Sequence, residues 1–341
     1  MKILFDHQLP FSLAHGGLQI QIERTKSALE NTGIEVEYMR WWDDQQKGDI
    51  IHFFGRANPS HVDFAHAKGM RYVMSELLTG QGSRSRTQLK VQSLLEHFLH
   101  ASVPPAFLAN FRWDAYTKVD ACVLLTQWEA EVVQILFGPP LHRVHVVPNG
   151  VEEHFFAWGN SNSSLRGEEL VCTATITERK RVLELAEAAS AARVPLRILG
   201  NPYGQNDPYF RRFMDLVRAA PTFVRYSGAV NDRRELAQIY KKARGFVLLS
   251  TMESLSLSAL EAAASGCPLL LSDLPWARGT FGDKASYCPV TLSPKATAVR
   301  LRDFYKEAPT LPVPPPPCGW DAVATQLGRI YHQVLQDDAT T

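Results

Sequence analysis

The chain of 341 residues is 45% apolar and 21% charged, which excludes disorder, gives no reason for a fibrous build, and leaves material for two hydrophobic cores. Lys plus Arg total 36 against 35 for Asp plus Glu, a net charge of +1 that provides no global field for nucleic acid or an anionic membrane. The five cysteines, at 122, 172, 267, 288 and 318, are odd in number and widely spaced, with neither a Cys-x-x-Cys pair nor His companions. They read as core thiols in a reducing compartment.

The first strand is predicted at Lys2 to Phe5. Asp6 follows so closely that no apolar signal-peptide core can form, and no 18-residue apolar run occurs. The expectation is a cytoplasmic protein, with peripheral membrane contact left open but unsupported by charge. Gly16-Gly17 then opens a helical pattern from Leu18 to Asn31, closed by Thr32-Gly33. Further strands are read at Glu35 to Arg40, Asp49 to Phe54, Arg71 to Met74, Ala121 to Leu125 and Val144 to Val147.

After an Asn- and Ser-rich stretch at 159–164 the rhythm restarts. Leu170 to Ile176, Leu196 to Leu199, Thr222 to Ser227, Gly245 to Leu249 and Pro268 to Leu271 read as strands, each followed by a helical pattern. Short β-branched and aromatic runs alternating with amphipathic helices predict an α/β fold of two doubly wound parallel sheets. The expected domains are 1–158 and 168–308, followed by a proline-rich strap over 309–319 and a helix over 320–336 that crosses back to the first domain. In such sheets ligands bind at the carboxyl ends of the strands, so the site is expected in a cleft between the domains.

The most informative segment runs Ser250-Thr-Met-Glu253-Ser-Leu-Ser-Leu-Ser258-Ala-Leu-Glu261, with Gly266-Cys-Pro268 beyond it. Its serines are natural N-caps, and the free amides of a helix start attract an anion. Two carboxylates beside a bound diphosphate would repel it, so their sensible partners are hydroxyls of a sugar and a ribose. From spacing alone, a capping Glu plus a solvated Glu is an equally open reading.

Together with Val147-Pro-Asn-Gly-Val151 and Phe155, Gly16-Gly17, Tyr226-Ser-Gly228-Ala-Val230 and Asp232, taken in order, this segment resembles the retaining GT-B glycosyltransferases, specifically glycosyltransferase family 4. The resemblance implies a GT-B fold with two Rossmann-like domains facing a central cleft. It also implies transfer of a sugar from a nucleotide-diphosphate sugar to an acceptor the sequence does not identify, with no cofactor and no metal. Lys180 and Arg179 are then expected at the leaving diphosphate and Glu253 at a donor-sugar hydroxyl. Glu261 is expected at the ribose, the segment Ser254, Leu255, Ser256 and Leu257 at the donor through backbone amides, and Gly228 and Val230 at the base.

Two departures from the family pattern stand out. An Arg usually precedes the Lys by about five positions, where this chain has Thr175, so Arg179 or Arg181 would replace it. A His common at the end of a first-domain strand is absent from Arg71-Tyr-Val-Met-Ser75-Glu76, leaving Glu76 as a candidate sugar contact beside the acceptor-side Gly16 and Gly17. His52 matches another family position, with a structural role as its plain alternative. Trp41, Trp42, Trp113 and Trp128 read as packing residues. The helix carrying Arg84, Arg86 and Lys90 with Leu89, Leu94, Leu95 and Phe98 reads as a solvated face. Competing readings are a catalytically silent nucleotide-sugar-binding or scaffold protein, motivated by the departures, and a nucleotide-sugar epimerase. A dehydrogenase is disfavoured because no Gly-x-Gly-x-x-Gly follows any strand.

Overall fold

The computed structural model describes residues 1–8, 10–11, 16–102, 114–156 and 166–336; the 159–164 stretch and Trp113 fall outside them. The chain forms two compact units, one of Met1–Gly150 with Cys318–Thr341 and one of Val151–Pro317.

In the first unit, strands β1 (Lys2–His7), β2 (Glu35–Tyr38), β3 (Ile50–Phe54), β4 (Arg71–Ser75), β5 (Ala121–Leu124) and β6 (Val144–Val146) form one sheet in the order β2-β1-β3-β4-β5-β6. All its pairings are parallel. Strands β3 and β5 are buried at every position, as strands covered on both faces must be. The helix Trp320–Gln336 packs on the helix Gly17–Asn31. It buries Trp320, Val323, Ala324, Leu327, Ile330, Tyr331 and Val334, the three-and-four spacing of one helical face. At Gly150 a side chain would meet the Trp320 backbone at 2.7 Å, so the Asn149-Gly150 turn admits this close approach only with glycine.

In the second unit, β7 (Leu170–Thr173), β8 (Leu196–Leu199), β9 (Val224–Tyr226), β10 (Gly245–Leu248), β11 (Leu269–Ser272) and β12 (Ser286–Cys288) form the order β12-β11-β10-β7-β8-β9, again all parallel. From β7 the chain winds outward through β8 and β9, then returns to the other side of β7 with β10. The order therefore reverses between β7 and β10, where loops leave in opposite directions and open a crevice at the strand ends. Arg166 fastens the helix ends behind the sheet, its guanidinium donating to the carbonyl oxygens of Ala243 at 3.0 Å and of Gly266.

The structure moves two boundaries. Residues 151–156 join the second unit and not the first, because Phe155 is fully buried there, Ser265 Oγ donates to its carbonyl at 3.0 Å and Lys241 Nζ donates to the His154 carbonyl at 2.9 Å. Cys318 and Gly319 part from the proline segment and join the first unit, with Cys318 Sγ 3.9 Å from the Asn149 carbonyl. Cys122, Cys172, Cys267 and Cys288 are buried free thiols, and burial pushes Cys172 and Cys267 up to about 12. Trp41 and Trp42 are exposed, not packed; Trp41 Nε1 donates to Asp6 at 3.1 Å. The helix Arg86–Ser102 buries Leu89, exposes Arg86, Gln88 and Lys90 as a solvated face would, but also turns Val91, Leu94, Leu95 and Phe98 to the outside, so its outer face is polar at the start and apolar further along. No helix of the described residues is long and apolar enough to cross a membrane.

Candidate functional site

Two loops meet at the reversal point of the second sheet. The one after β7 turns through a short 3-10 segment, Glu178–Lys180, capped by Thr177, whose Oγ1 accepts the Lys180 amide at 3.4 Å. Arg181 then takes a left-handed conformation and starts the helix Val182–Ala192. The one after β10 crosses Ser250 to Ser256 before the helix Leu257–Ala264, capped by Ser256 Oγ on the Ala259 amide at 3.4 Å. Thr251 N donates to the Arg179 carbonyl at 2.8 Å, which stitches the loops together and fixes which side chains face each other.

Lys180 Nζ donates to Glu253 Oε1, and Arg179 approaches the same oxygen at 3.3 Å while also donating to the Met252 carbonyl at 3.0 Å. The Lys180 and Glu253 side chains are only 13% and 10% exposed. Two cations converge on one carboxylate, so these three groups carry net positive charge in a poorly hydrated spot, where a second anion is attracted strongly. The first amides of the Leu257–Ala264 helix add their partial positive charge. Ser254, Leu255, Ser256 and Leu257 are all buried on this turn, and Ser250 Oγ lies buried with no hydrogen-bond partner among the described residues.

Eight residues past Glu253, Glu261 lies on the inner face of the same helix and is 3% exposed. Arg233, the first residue of the helix Arg233–Lys242, donates to Glu261 Oε1 and to Glu152 Oε2, the latter at 2.7 Å. Its guanidinium lies 4.8 Å from the Phe155 ring. Burial pushes Glu261 up to about 7 against the opposing pull of Arg233. Sequence reasoning missed Arg233, although a signal existed: a cation at the first position of a helix opposes the helix dipole and calls for an acidic partner.

Around the β8 and β9 ends, Gly200 N donates to the Gly228 carbonyl at 2.9 Å and Ala229 N to Asn201 Oδ1 at 3.2 Å, which leaves Val230 half-buried at the rim. Gly200 has φ +137°, and a side chain there would lie 2.0 Å from the Ala174 carbonyl oxygen. Thr175 is half-buried between β7 and the 3-10 segment. Arg181 donates to the Val290 carbonyl at 3.0 Å, so of the two arginines considered it is Arg179 that stands with Lys180.

The first-unit candidates behave differently. Glu76 Oε2 accepts from Tyr116 OH at 2.8 Å and from Arg56 Nε at 3.1 Å, and the residue is 6% exposed. Its carboxylate is thus spent on an internal ion pair. His52 is fully buried, with Nδ1 2.6 Å from Tyr331 OH and Nε2 2.7 Å from Ser75 Oγ; burial pulls it down to about 3, which keeps it neutral. Gly16 caps the Gly17–Asn31 helix with open space where a side chain would lie.

Comparison with known proteins bears on the second unit first. Residues 160–311 match the family model described as Glycosyl transferases group 1. No curated protein matches the chain. Among solved structures, sucrose-phosphate synthase from Thermosynechococcus elongatus is 16% identical at a TM-score of 0.67, over 98% of this chain and 99% of that one. Anabaena HepE, solved with UDP and glucose, is 14% identical at a TM-score of 0.64 over 100% of both chains. The pneumococcal O-GlcNAc transferase GtfA, solved with UDP and GlcNAc, is 17% identical at a TM-score of 0.59, over 84% of this chain and 57% of its own. These likenesses show the GT-B fold.

Proposed function

We propose, from the match of residues 160–311 to the Glycosyl transferases group 1 model, that the chain is a retaining glycosyltransferase using a nucleoside-diphosphate sugar, without a metal. The observation that carries this is the convergence of Lys180 and Arg179 on Glu253 at the reversal point of the second sheet. The donor diphosphate draws the Lys180 ammonium and the Arg179 fork onto its oxygens, and the helix amides after Ser254 take the remaining charge. Released from its ion pair, Glu253 accepts a hydrogen bond from a hydroxyl of the donor sugar.

In the transfer step the anomeric carbon–oxygen bond to the diphosphate breaks and the leaving oxygen keeps the electron pair. The acceptor hydroxyl oxygen bonds to the same face of the anomeric carbon, and its proton passes to the leaving phosphate oxygen. No side chain of the site needs to become covalently attached, and charge stabilisation with positioning supplies the rate. UDP-sugars are the first donors to try, since HepE and GtfA were solved with UDP.

The test is UDP release from a panel of UDP-sugars by the wild type, Lys180→Ala and Glu253→Gln, with and without a chelator. The proposal expects each variant to lose about 10²–10³-fold in turnover and the chelator to change nothing. Wild-type turnover in both variants sinks the assignment.

A further inference from the structure

The donor reading assigns Glu261 to the ribose but leaves unexplained how a carboxylate so deeply buried is kept ready to accept hydrogen bonds. Burial favours its protonated form, and a protonated carboxyl is a poorer double acceptor than a carboxylate. The groups facing it are few. Arg233 and Tyr240 approach from the Arg233–Lys242 helix, and Glu152 from the turn that opens the second unit. Of these only Arg233 is a cation. One nitrogen, Nη2, serves both carboxylates, Nε reaches Glu152 Oε1 at 3.3 Å, and the guanidinium lies over the Phe155 ring. The fork is therefore held between Glu152 and Phe155 while it reaches Glu261.

Resting on that donor reading, we propose that Arg233 is a positioning residue for the nucleotide: it holds Glu261 in one orientation and ionised, so that the carboxylate accepts hydrogen bonds from the ribose hydroxyls. Glu152 is the counterweight. It shares the same guanidinium, which limits how much of Arg233's charge reaches Glu261 and ties the setting of the carboxylate to the turn at 151–156.

Calorimetry with UDP, GDP and ADP, each beside its 2′,3′-dideoxy analogue, tests this on wild type, Arg233→Ala, Arg233→Lys and Glu152→Gln. The wild type is expected to prefer one ribonucleotide over its dideoxy form by about ten- to hundredfold, the range of one or two charge-assisted hydrogen bonds. Arg233→Ala should lose that preference at pH 7 while binding the dideoxy form as the wild type does, and should regain it as pH rises toward 9. Arg233→Lys should restore part of it, and Glu152→Gln should keep it and extend it to lower pH. Equal weakening of both ligands in Arg233→Ala and Arg233→Lys would make the residue merely structural and overturn the proposal, as would full preference in both. If Arg233→Ala does not fold, the Arg233→Lys and Glu152→Gln pair decides through the opposite directions of their pH shifts. A wild type that binds a nucleotide without preferring ribose removes the role of Glu261 and this proposal with it, whereas a wild type that binds none of the three nucleotides refutes the donor reading itself.

Discussion

The two units share one plan, six parallel strands wound outward and back, yet they use their charged residues in opposite ways. In the first sheet the order reverses between β1 and β3. Arg56, which follows β3, turns to Glu76 after β4 and stacks 5.5 Å from Tyr116 and 5.4 Å from Phe137. Glu129, also buried, accepts the amides of Leu78 at 3.3 Å and Leu125 at 2.9 Å. Each carboxylate there ends in a closed set of donors, as buried charge must. At the second reversal point two cations share one carboxylate beside a helix start, and the surplus is positive. The strand orders differ, β2-β1-β3-β4-β5-β6 against β12-β11-β10-β7-β8-β9, yet each sheet has one reversal point where a crevice can open, and the balance of charge at the strand ends is what distinguishes the two.

Exchanging the two kinds of charge should separate function from stability, and Lys180→Ala against Arg56→Met gives the largest contrast. Lys180→Ala should lower turnover by about 10²–10³-fold with little change in unfolding temperature. Arg56→Met strands the buried Glu76 and should cost about 3–5 kcal/mol of stability while nucleotide affinity measured below the transition stays as in wild type. Denaturant unfolding with calorimetry reads both, and an Arg56→Met variant that loses nucleotide affinity at full stability would break the comparison.

Gly200→Ala comes next. It forces a side chain against the Ala174 carbonyl in a backbone region that favours glycine and should destabilise the second unit by roughly 3 kcal/mol, seen as a lowered denaturation midpoint.

The buried His52 gives a pH signature in the first unit. Its folded value of about 3 lies below the ordinary 6.5, so as pH falls below 6.5 the unfolded chain takes a proton that the folded chain refuses. Stability present above 6.5 is then lost by up to about 1.4 kcal/mol per pH unit. His52→Gln should flatten that part of the pH–stability curve; an unchanged slope would place its origin elsewhere. The smallest effect belongs to Arg181→Ala. Because that guanidinium is committed to the Val290 carbonyl, turnover should change by less than about fivefold, the scale of one hydrogen bond, and a loss as large as that of Lys180→Ala would return Arg181 to the diphosphate.

What could be read from the chain follows from how local each signal is. The strands announce themselves because buried parallel strands are unbroken apolar runs, as in Ala121 to Leu124 or Phe246 to Leu248. Ser256 announces a cap, and Glu253 and Lys180 lie in segments whose resemblance spans many residues in order. The fates of Glu76 and Arg233 depend instead on partners far along the chain. Tyr116 stands 40 residues from Glu76, and Glu152 stands 81 residues from Arg233, and no local pattern encodes such pairings. The exposure of Trp41, Trp42, Leu94 and Phe98 was hidden for the same reason: composition tells that an apolar side chain gains by burial, not whether the fold supplies a surface to cover it.

The central claim is that, of the two reversal points among the described residues, the second is the one whose surplus positive charge receives the proposed diphosphate, and hydrogen–deuterium exchange with and without saturating UDP tests it most directly. The account predicts slowed exchange in 177–182 and 250–261, with 52–58 and 74–82 unchanged. Slowed exchange confined to those first-unit segments, or none in either unit at a concentration where UDP is bound, would contradict it.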